Sequence, residues 1–174
     1  MEKISVEMFV KTYKAQVKGK DETFQEFIKK HVVNEYVDYL TKDAYCSKIV
    51  ELSTHVQDGE HTIIKVNSTV RYMLFVMRLI ELYTDIDINF EDAQFIKQYD
   101  ELNKIGAIDT LISAIPEGEY TEFSMLLNMR MDDFRDNEYS VTAILYNLKQ
   151  SLSLSNEIVD AVFKELENKK ENID

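Results

Sequence analysis

Hydrophobic residues recur along most of the chain at intervals of three and four positions, which is the spacing of one face of an α-helix. Val6 and Phe9 begin the first such stretch, and Ser5 precedes it in the position of a helix N-cap. Thr23 followed by Glu26 is the sequence of a capping box, which predicts the start of a second helix. The pattern as a whole predicts a mainly α bundle of about six to eight helices with one small β-hairpin.

Capping residues and changes of period set the predicted bounds. The predicted helices cover residues 6–17, 24–53, 68–83, 90–104, 107–115 and 119–136. The stretch 24–53 is either one long helix or two helices broken near His31–Asn34, and we favour two. Ser140 and Ser155 are expected to cap two final helical stretches, which either stay separate or fuse into one.

Several helix ends are predicted from single residues. Ser68 is expected to cap the apolar helix that follows it, and Asn89 to open the next one. Gly106 stands where a helix would end in a left-handed residue. Pro116 and Gly118 are expected to terminate the short helix before them and to form a turn.

The period changes from helical to alternating between residues 54 and 67. Asp58-Gly59 lies between two short apolar runs, and Asp-Gly is a strong signal for a tight hairpin turn. Two strands alone are marginally stable in water, so this hairpin must pack on the helices or pair with a strand of another chain. Ile63 and Val66, on its second strand and just after it, are therefore candidate partner-binding residues.

The most apolar stretch, Tyr72–Ile80, has hydrophobic positions around most of its circumference, which indicates a central, buried helix. Its length and Arg78 argue against a membrane span. Arg71 and Arg78 stand on one side of this helix. They either pair with carboxylates inside the fold, which we favour, or form a partner-facing patch with Tyr72 and Tyr83, because Arg and Tyr dominate interface hot spots.

Two further features have a packing interpretation. Cys46 follows an apolar stripe through Leu40, Ala44, Ile49 and Leu52, where a small thiol packs well. A single cysteine also excludes an internal disulfide and favours a reducing cytoplasm. The methionine-rich run 125–131 is typical of a core or of an adaptable binding groove, and we favour the core.

The residues that could carry chemistry do not form a complete motif. Asp85, Asp87 and Asn89 resemble the start of a calcium loop, but Phe90 and Ile96 occupy its glycine and glutamate positions, so a capped connection between helices explains them better.

The histidines do not restore a metal site. His31, His55 and His61 lack a metal spacing, although the last two could face each other across the hairpin. We interpret them as surface hairpin histidines and expect no metal and no cofactor.

One acidic cluster is a possible source of paired carboxylates for acid–base work. It consists of Asp132, Asp133, Asp136 and Glu138 with Arg130 and Arg135. Alternating charges near a helix end usually form a solvated face, which is the reading we favour. No nucleophile, phosphate-loop, dinucleotide or zinc-protease motif occurs in the sequence. We therefore expect no catalytic residues and no enzyme.

Composition narrows the class of partner. The net charge is −12, which repels phosphate backbones and anionic lipids, so direct binding to nucleic acid or to membranes is not expected. Four glycines and one proline argue against a turn-rich β-sandwich. The first ten residues lack the apolar core of a signal peptide. We expect one domain over residues 1–166 and a frayed polar tail at 167–174.

Two stretches, residues 33–39 and residues 67–75 running on to 82–87, resemble a group of small acidic helical proteins encoded by phages and prophages of low-GC Gram-positive bacteria. The resemblance implies a phage protein that takes part in virion structure, in assembly or in host takeover.

The leading hypothesis is a non-enzymatic protein that acts through protein–protein contacts, as a minor virion component or a morphogenesis factor. Its partners would be other phage proteins, a host protein or a second copy of itself, in the host cytoplasm or within the virion. The alternative is an acidic inhibitor that mimics nucleic acid and occupies a basic groove of a host protein.

Overall fold

A computed structural model describes residues 3–17, 23–58 and 61–139, together with the single residues 144 and 161. The chain divides into two compact units, residues 1–130 and residues 131–174. Apart from the single residues Ile144 and Ala161, which are helical, the final stretches expected after Ser140 and Ser155 and the tail at 167–174 lie outside the described residues. The expectation of one domain through residue 166 stays a prediction.

The fold is mainly α, as predicted. The described residues form seven α-helices, two small two-stranded sheets and a π-helical turn. In chain order the elements are β1 (Ile4–Ser5), α1 (Val6–Gln16), α2 (Phe24–His31), α3 (Tyr39–Thr54), β2 (His55–Asp58), β3 (His61–Ile64), α4 (Ser68–Tyr83), β4 (Ile86–Asp87), α5 (Asp92–Lys104), α6 (Ala107–Ala114), α7 (Glu117–Phe134) and the π-helical turn Arg135–Tyr139.

Side-chain caps begin the first three helices. The Ser5 hydroxyl accepts a hydrogen bond from the amide of Met8, at 3.2 Å. Thr23 and Glu26 form the complete capping box that the sequence predicts. Asp38 caps α3, so the stretch 24–53 forms two helices, and the preference for two is confirmed.

Other helix ends differ from the prediction by one or two residues. The cap of α4 is Asn67, not Ser68, because the Asn67 side chain reaches the amide of Val70 at 3.1 Å. Helix α5 begins after Glu91, and Asn89 instead accepts a hydrogen bond from the Glu91 amide in the preceding turn, at 2.8 Å.

Of the two glycines that flank α6, one has the predicted role and the other does not. Gly106 has a φ of 71°, the left-handed conformation that the sequence predicts. Helix α6 ends before Pro116, but Gly118 does not end a helix, because it lies in the first turn of α7.

The hairpin is confirmed, although its side chains pair differently from the expectation. Its register places His55 opposite Ile64 and His61 opposite Asp58, so the two histidines do not face each other. Backbone hydrogen bonds from the amides of Lys65 to Thr54 and of Asn67 to Ser53, each 2.8 Å, attach the segment between β3 and α4 to the end of α3. The segment that leaves the hairpin is therefore held by its own chain.

A second sheet joins distant parts of the sequence. Strand β1 pairs in parallel with β4, with Ile4 opposite Ile86, and the Ile4 amide donates to the Asp85 carbonyl at 2.8 Å. This pairing was not predicted. It fixes the start of α1 beside the end of α4.

Helix α4 lies at the centre of the core, as its apolar circumference predicts. Met77, Leu79, Ile80 and Tyr83 are fully buried. The helix packs against α3 and α6, while rings of α1 and α2, such as Phe9 and Phe27 with centroids 5.2 Å apart, fill the core near the N-terminus. Within the described residues no helix has the length and apolar character needed to cross a membrane.

Helix α3 presents a different face to the core from the one predicted. Leu40 and Leu52 are exposed, at 75% and 42%, whereas Lys42 is fully buried. The physical reason is that α7 supplies carboxylates to Lys42, which lets a charged side chain occupy a core position.

Candidate interaction surface

The structure does not bring the predicted patch on α4 together at the surface. Tyr83 is fully buried, and its hydroxyl donates to Glu119 at 2.7 Å. Arg78 donates to Glu81 at 2.7 Å, and its guanidinium lies 3.4 Å from the centre of the Phe90 ring. Pairing with a helix-borne carboxylate is therefore confirmed for Arg78. The expectation that Arg78 and Tyr83 face a partner is corrected, because both are engaged inside the fold.

For the hairpin, the structure describes the backbone of Ile63 and the side chains of Ile64 and Val66. The backbone of Ile63 pairs with Val56, and the Ile63 side chain lies outside the described part of the structure. Val66 and Ile64 are 37% and 40% exposed. They place moderately exposed apolar surface just before α4.

The two remaining residues of the patch, Arg71 and Tyr72, line a groove between α4 and α7. One depression of this groove has a volume of about 280 Å³, and we call it the Arg71 pocket. It is lined by Ser68, Arg71, Tyr72, Phe75, Ser124, Leu127 and Asn128. No carboxylate occurs among these residues, although the chain as a whole carries a net charge of −12.

A second depression of about 360 Å³, which we call the Asp109 pocket, continues the groove towards α6. It is lined by Tyr72, Phe75, Val76, Ile108, Asp109, Ile112, Ser113 and Tyr120. The two pockets share Tyr72 and Phe75, so together they form one surface, the Tyr72 groove. It is larger than either pocket and is mostly apolar and aromatic, like many binding clefts.

The floor of the Tyr72 groove is a cluster of rings. Phe75 contacts Tyr120 edge to face and Phe123 at a tilt, with centroids 5.8 Å apart in each pair. Phe123 is fully buried, whereas Tyr72 and Tyr120 are 54% and 37% exposed. The rings thus run from the core to the surface, and the outer ones are accessible to a partner.

A buried polar network fixes α7, which forms one wall of the groove. Glu119 on α7 accepts hydrogen bonds from Lys42, Tyr83 and the amide of Val37, at 2.8, 2.7 and 3.0 Å. The Lys42 ammonium also contacts Glu122. Donors from two stretches that are distant in sequence, residues 37–42 and Tyr83, converge on one carboxylate, so the start of α7 has a defined position against α3 and α4.

The pKa shifts of Lys42 and Glu119 show that both groups are charged in this network. Burial acts to lower the pKa of Lys42, but hydrogen bonds to Glu119 and Glu122 outweigh it and the pKa is raised. Burial acts to raise the pKa of Glu119, but the hydrogen bonds from Lys42, Tyr83 and Val37 outweigh it and the pKa is lowered. Lys42 is therefore an ammonium at neutral pH, with no free lone pair for nucleophilic attack.

A second ion pair ties α7 to α3 further along. The Arg130 side chain bonds both carboxylate oxygens of Asp43, with Nε donating at 2.7 Å. The hydrogen bond from Arg130 lowers the pKa of Asp43. The sequence pattern groups Arg130 with the acidic cluster and does not predict its bond to Asp43 on α3.

The other residues considered for chemistry are also held in local contacts. Asp85 bonds the ring of His31 at 2.9 Å, and that ring packs edge to face against Phe9 and Phe27. His31 is therefore a mostly buried packing residue rather than a hairpin histidine. Asp87 lies on strand β4, so the calcium-like sequence forms a sheet pairing and a connection between helices.

Cys46 has the packing role expected of it. It is fully buried, its thiol lies 3.6 Å from the Phe123 carbonyl, and burial raises its pKa to about 12. The methionine run is divided: Leu126 and Leu127 are buried, but Met125 and Met129 are 59% and 55% exposed. The core interpretation is therefore wrong for these two methionines.

The acidic cluster in the second unit has the predicted solvated character. Arg135 lies 3.3 Å from Asp132 and 3.2 Å from Asp136, and all three side chains are more than half exposed. Such pairs contribute little to stability. Over residues 3–17, 23–58 and 61–139, no three His, Cys, Asp or Glu side chains are grouped so as to hold a metal ion.

The chain matches no protein-family model, no curated protein and no solved structure. The fold and its surface define the class: a mainly α protein with an open aromatic groove lined by α4, α6 and α7.

Proposed function

We propose that this is a non-enzymatic protein that binds other proteins through the Tyr72 groove. The observation that carries the proposal is the exposure of Tyr72 beside Arg71, above a floor of aromatic rings. Exposed aromatic side chains next to an arginine are the combination enriched at interface hot spots. The resemblance to small phage proteins extends the proposal to a minor virion component or a morphogenesis factor, acting on other phage proteins or on a host protein.

The use of reactive groups inside the fold supports binding over catalysis. Lys42 and Glu119 neutralise each other, and Cys46 has a pKa of about 12, far above neutral pH. A general acid or base works best with a pKa near the operating pH. The charged Lys42–Glu119 pair and the neutral Cys46 thiol are instead used in packing the fold.

The experiment is cosedimentation of the protein with purified phage particles or with their assembly intermediates. We expect Tyr72→Ala to abolish the association. Tyr39→Ala is the matched control, because Tyr39 is about as exposed, at 50%, but lies on α3 outside the groove. Circular dichroism of both variants verifies folding. Association that survives Tyr72→Ala, or the lack of any stable association with a phage protein, contradicts the proposal.

The alternative, an acidic inhibitor that mimics nucleic acid, gains less support. Several carboxylates, including Asp43, Glu81 and Glu119, are turned towards cations of the same chain. Mimicry needs carboxylates ordered along one surface. Competition with DNA for a host nuclease at low salt tests this alternative directly, and no competition ends it.

A further inference from the structure

The two halves of the Tyr72 groove differ in charge. The Arg71 pocket contains one cation and no carboxylate among its lining residues, and the Asp109 pocket contains one carboxylate and no cation. Within the described residues, the Arg71 side chain makes no hydrogen bond or ion pair with a neighbour. Asp109 is exposed, and its backbone carbonyl accepts a hydrogen bond from the Ser113 hydroxyl. The pKa of Tyr99 is raised by burial, and the negative charge of the Asp109 carboxylate contributes to this shift.

The order of the lining residues gives the groove a direction. On α7, Leu127 and Asn128 line the Arg71 pocket and Tyr120 lines the Asp109 pocket. Tyr72 and Phe75 belong to both. A segment lying along the groove therefore meets a cation at one end, aromatic rings in the middle and an anion at the other end.

We propose that the groove takes an amphipathic peptide segment of a partner protein, with a carboxylate at Arg71, an aliphatic or aromatic side chain over Tyr72 and Phe75, and a lysine or arginine at Asp109. This rests on the proposed function and specifies its partner. Opposite charges at the two ends set one orientation, because the reversed segment would bring like charges together. The apolar centre supplies contact area, and the charged ends supply the choice of partner.

The test is selection of short random peptides displayed against the immobilised full chain. We expect the enriched peptides to carry an acidic residue and a basic residue on opposite sides of an apolar pair. Their affinity, measured by fluorescence anisotropy, should fall about tenfold for Arg71→Glu. A parallel selection on Arg71→Glu should enrich a basic residue in place of the acidic one. Asp109→Lys should have the converse effect at the other end.

Lys97→Glu is the matched control, since it changes the net charge equally at an exposed site on α5. Enriched peptides should bind it as they bind the wild type. Peptides that require Tyr72 but show no charge order, or that ignore Arg71→Glu, overturn the oriented segment while the groove remains a binding site. Failure to enrich any Tyr72-dependent peptide, with Tyr72-dependent cosedimentation intact, overturns the peptide occupant alone. Loss of both results overturns the proposed function.

Discussion

Helix α7 has two sides that use charged and apolar residues in opposite ways. On the side that faces α3, the contact is made by buried charged side chains, and Lys42 is fully buried against Glu119. Towards α4, aromatic side chains stay accessible, and Tyr72 is half-exposed beside Arg71. The difference teaches that the charged pairs on one side of α7 hold it against α3, whereas aromatic surface stays exposed on the other side, which is the side that we propose binds a partner.

The largest expected effect comes from opening the charged side. Lys42→Met leaves Glu119 buried without its cation, and removal of one partner from a buried pair costs about 3–5 kcal/mol in the free energy of unfolding. Urea denaturation measures this loss. Lys97→Met, at a side chain that is 65% exposed, should change the same quantity by less than about 0.5 kcal/mol.

A double variant measures the interaction between Lys42 and Glu119 separately from the other contacts of the two residues. In Lys42→Met with Glu119→Gln neither charge is left buried, so the loss should be smaller than the sum of the two single losses. Additive losses would show that the two residues do not interact, which contradicts the geometry of the network.

The next largest effect is expected from removing the Tyr83 hydroxyl, which donates to Glu119 in the same network. Tyr83→Phe keeps the buried ring but removes one donor from Glu119, and a hydrogen bond to a charged group is worth about 1.5–3 kcal/mol. Urea denaturation again provides the measurement. The control is Tyr39→Phe, whose side chain is 50% exposed and which should unfold like the wild type. Equal stability of the two variants would remove the Tyr83 hydroxyl from the network.

A smaller, pH-dependent effect follows from the lowered pKa of Glu119. Because the folded pKa lies below the unfolded one, its stabilisation is fully present above pH 4.5, the ordinary value, and is lost as pH falls through the folded pKa. The difference in unfolding free energy between wild type and Glu119→Gln should therefore narrow on acidification from pH 6. Denaturation at several pH values measures it, and a difference that is constant or grows contradicts the lowered pKa.

The smallest effect on stability is expected on the open side. Arg71→Glu should alter the free energy of unfolding by no more than about 0.5 kcal/mol, since the side chain has no partner within the described residues. Thermal unfolding checks this. If Arg71→Glu destabilised the protein as much as Lys42→Met, the contrast between the two sides of α7 would disappear.

Elements that depend on neighbouring residues were predictable from the sequence. The capping box at Thr23 and Glu26 and the hairpin around Asp58 are local, since each is encoded within a few positions. The caps at Asn67 and Glu91 were misplaced by one or two residues because several adjacent polar residues have similar capping preferences.

Contacts between distant residues were not predictable in the same way. A lysine at position 42 has the character of a surface residue until Glu119 and Glu122 are brought against it by the fold. Of the residues nominated from the sequence, Arg71 and Tyr72 line the groove, but nothing local distinguishes the exposed Tyr72 from the buried Tyr83 on the same helix.

The parallel pairing of Ile4–Ser5 with Ile86–Asp87 has a consequence for synthesis on the ribosome. Strand β4 leaves the exit tunnel long after β1, and at translation rates of about 5–20 residues per second the delay is on the order of 4–16 s. During that interval β1 has no partner strand, and the end of α2 and the residues after it lack their hydrogen bonds to Tyr83 and Asp85. Unpaired strand edges and transiently exposed apolar surface make incompletely folded chains prone to aggregation, and here they can be covered only after residues 86–87 have been synthesised.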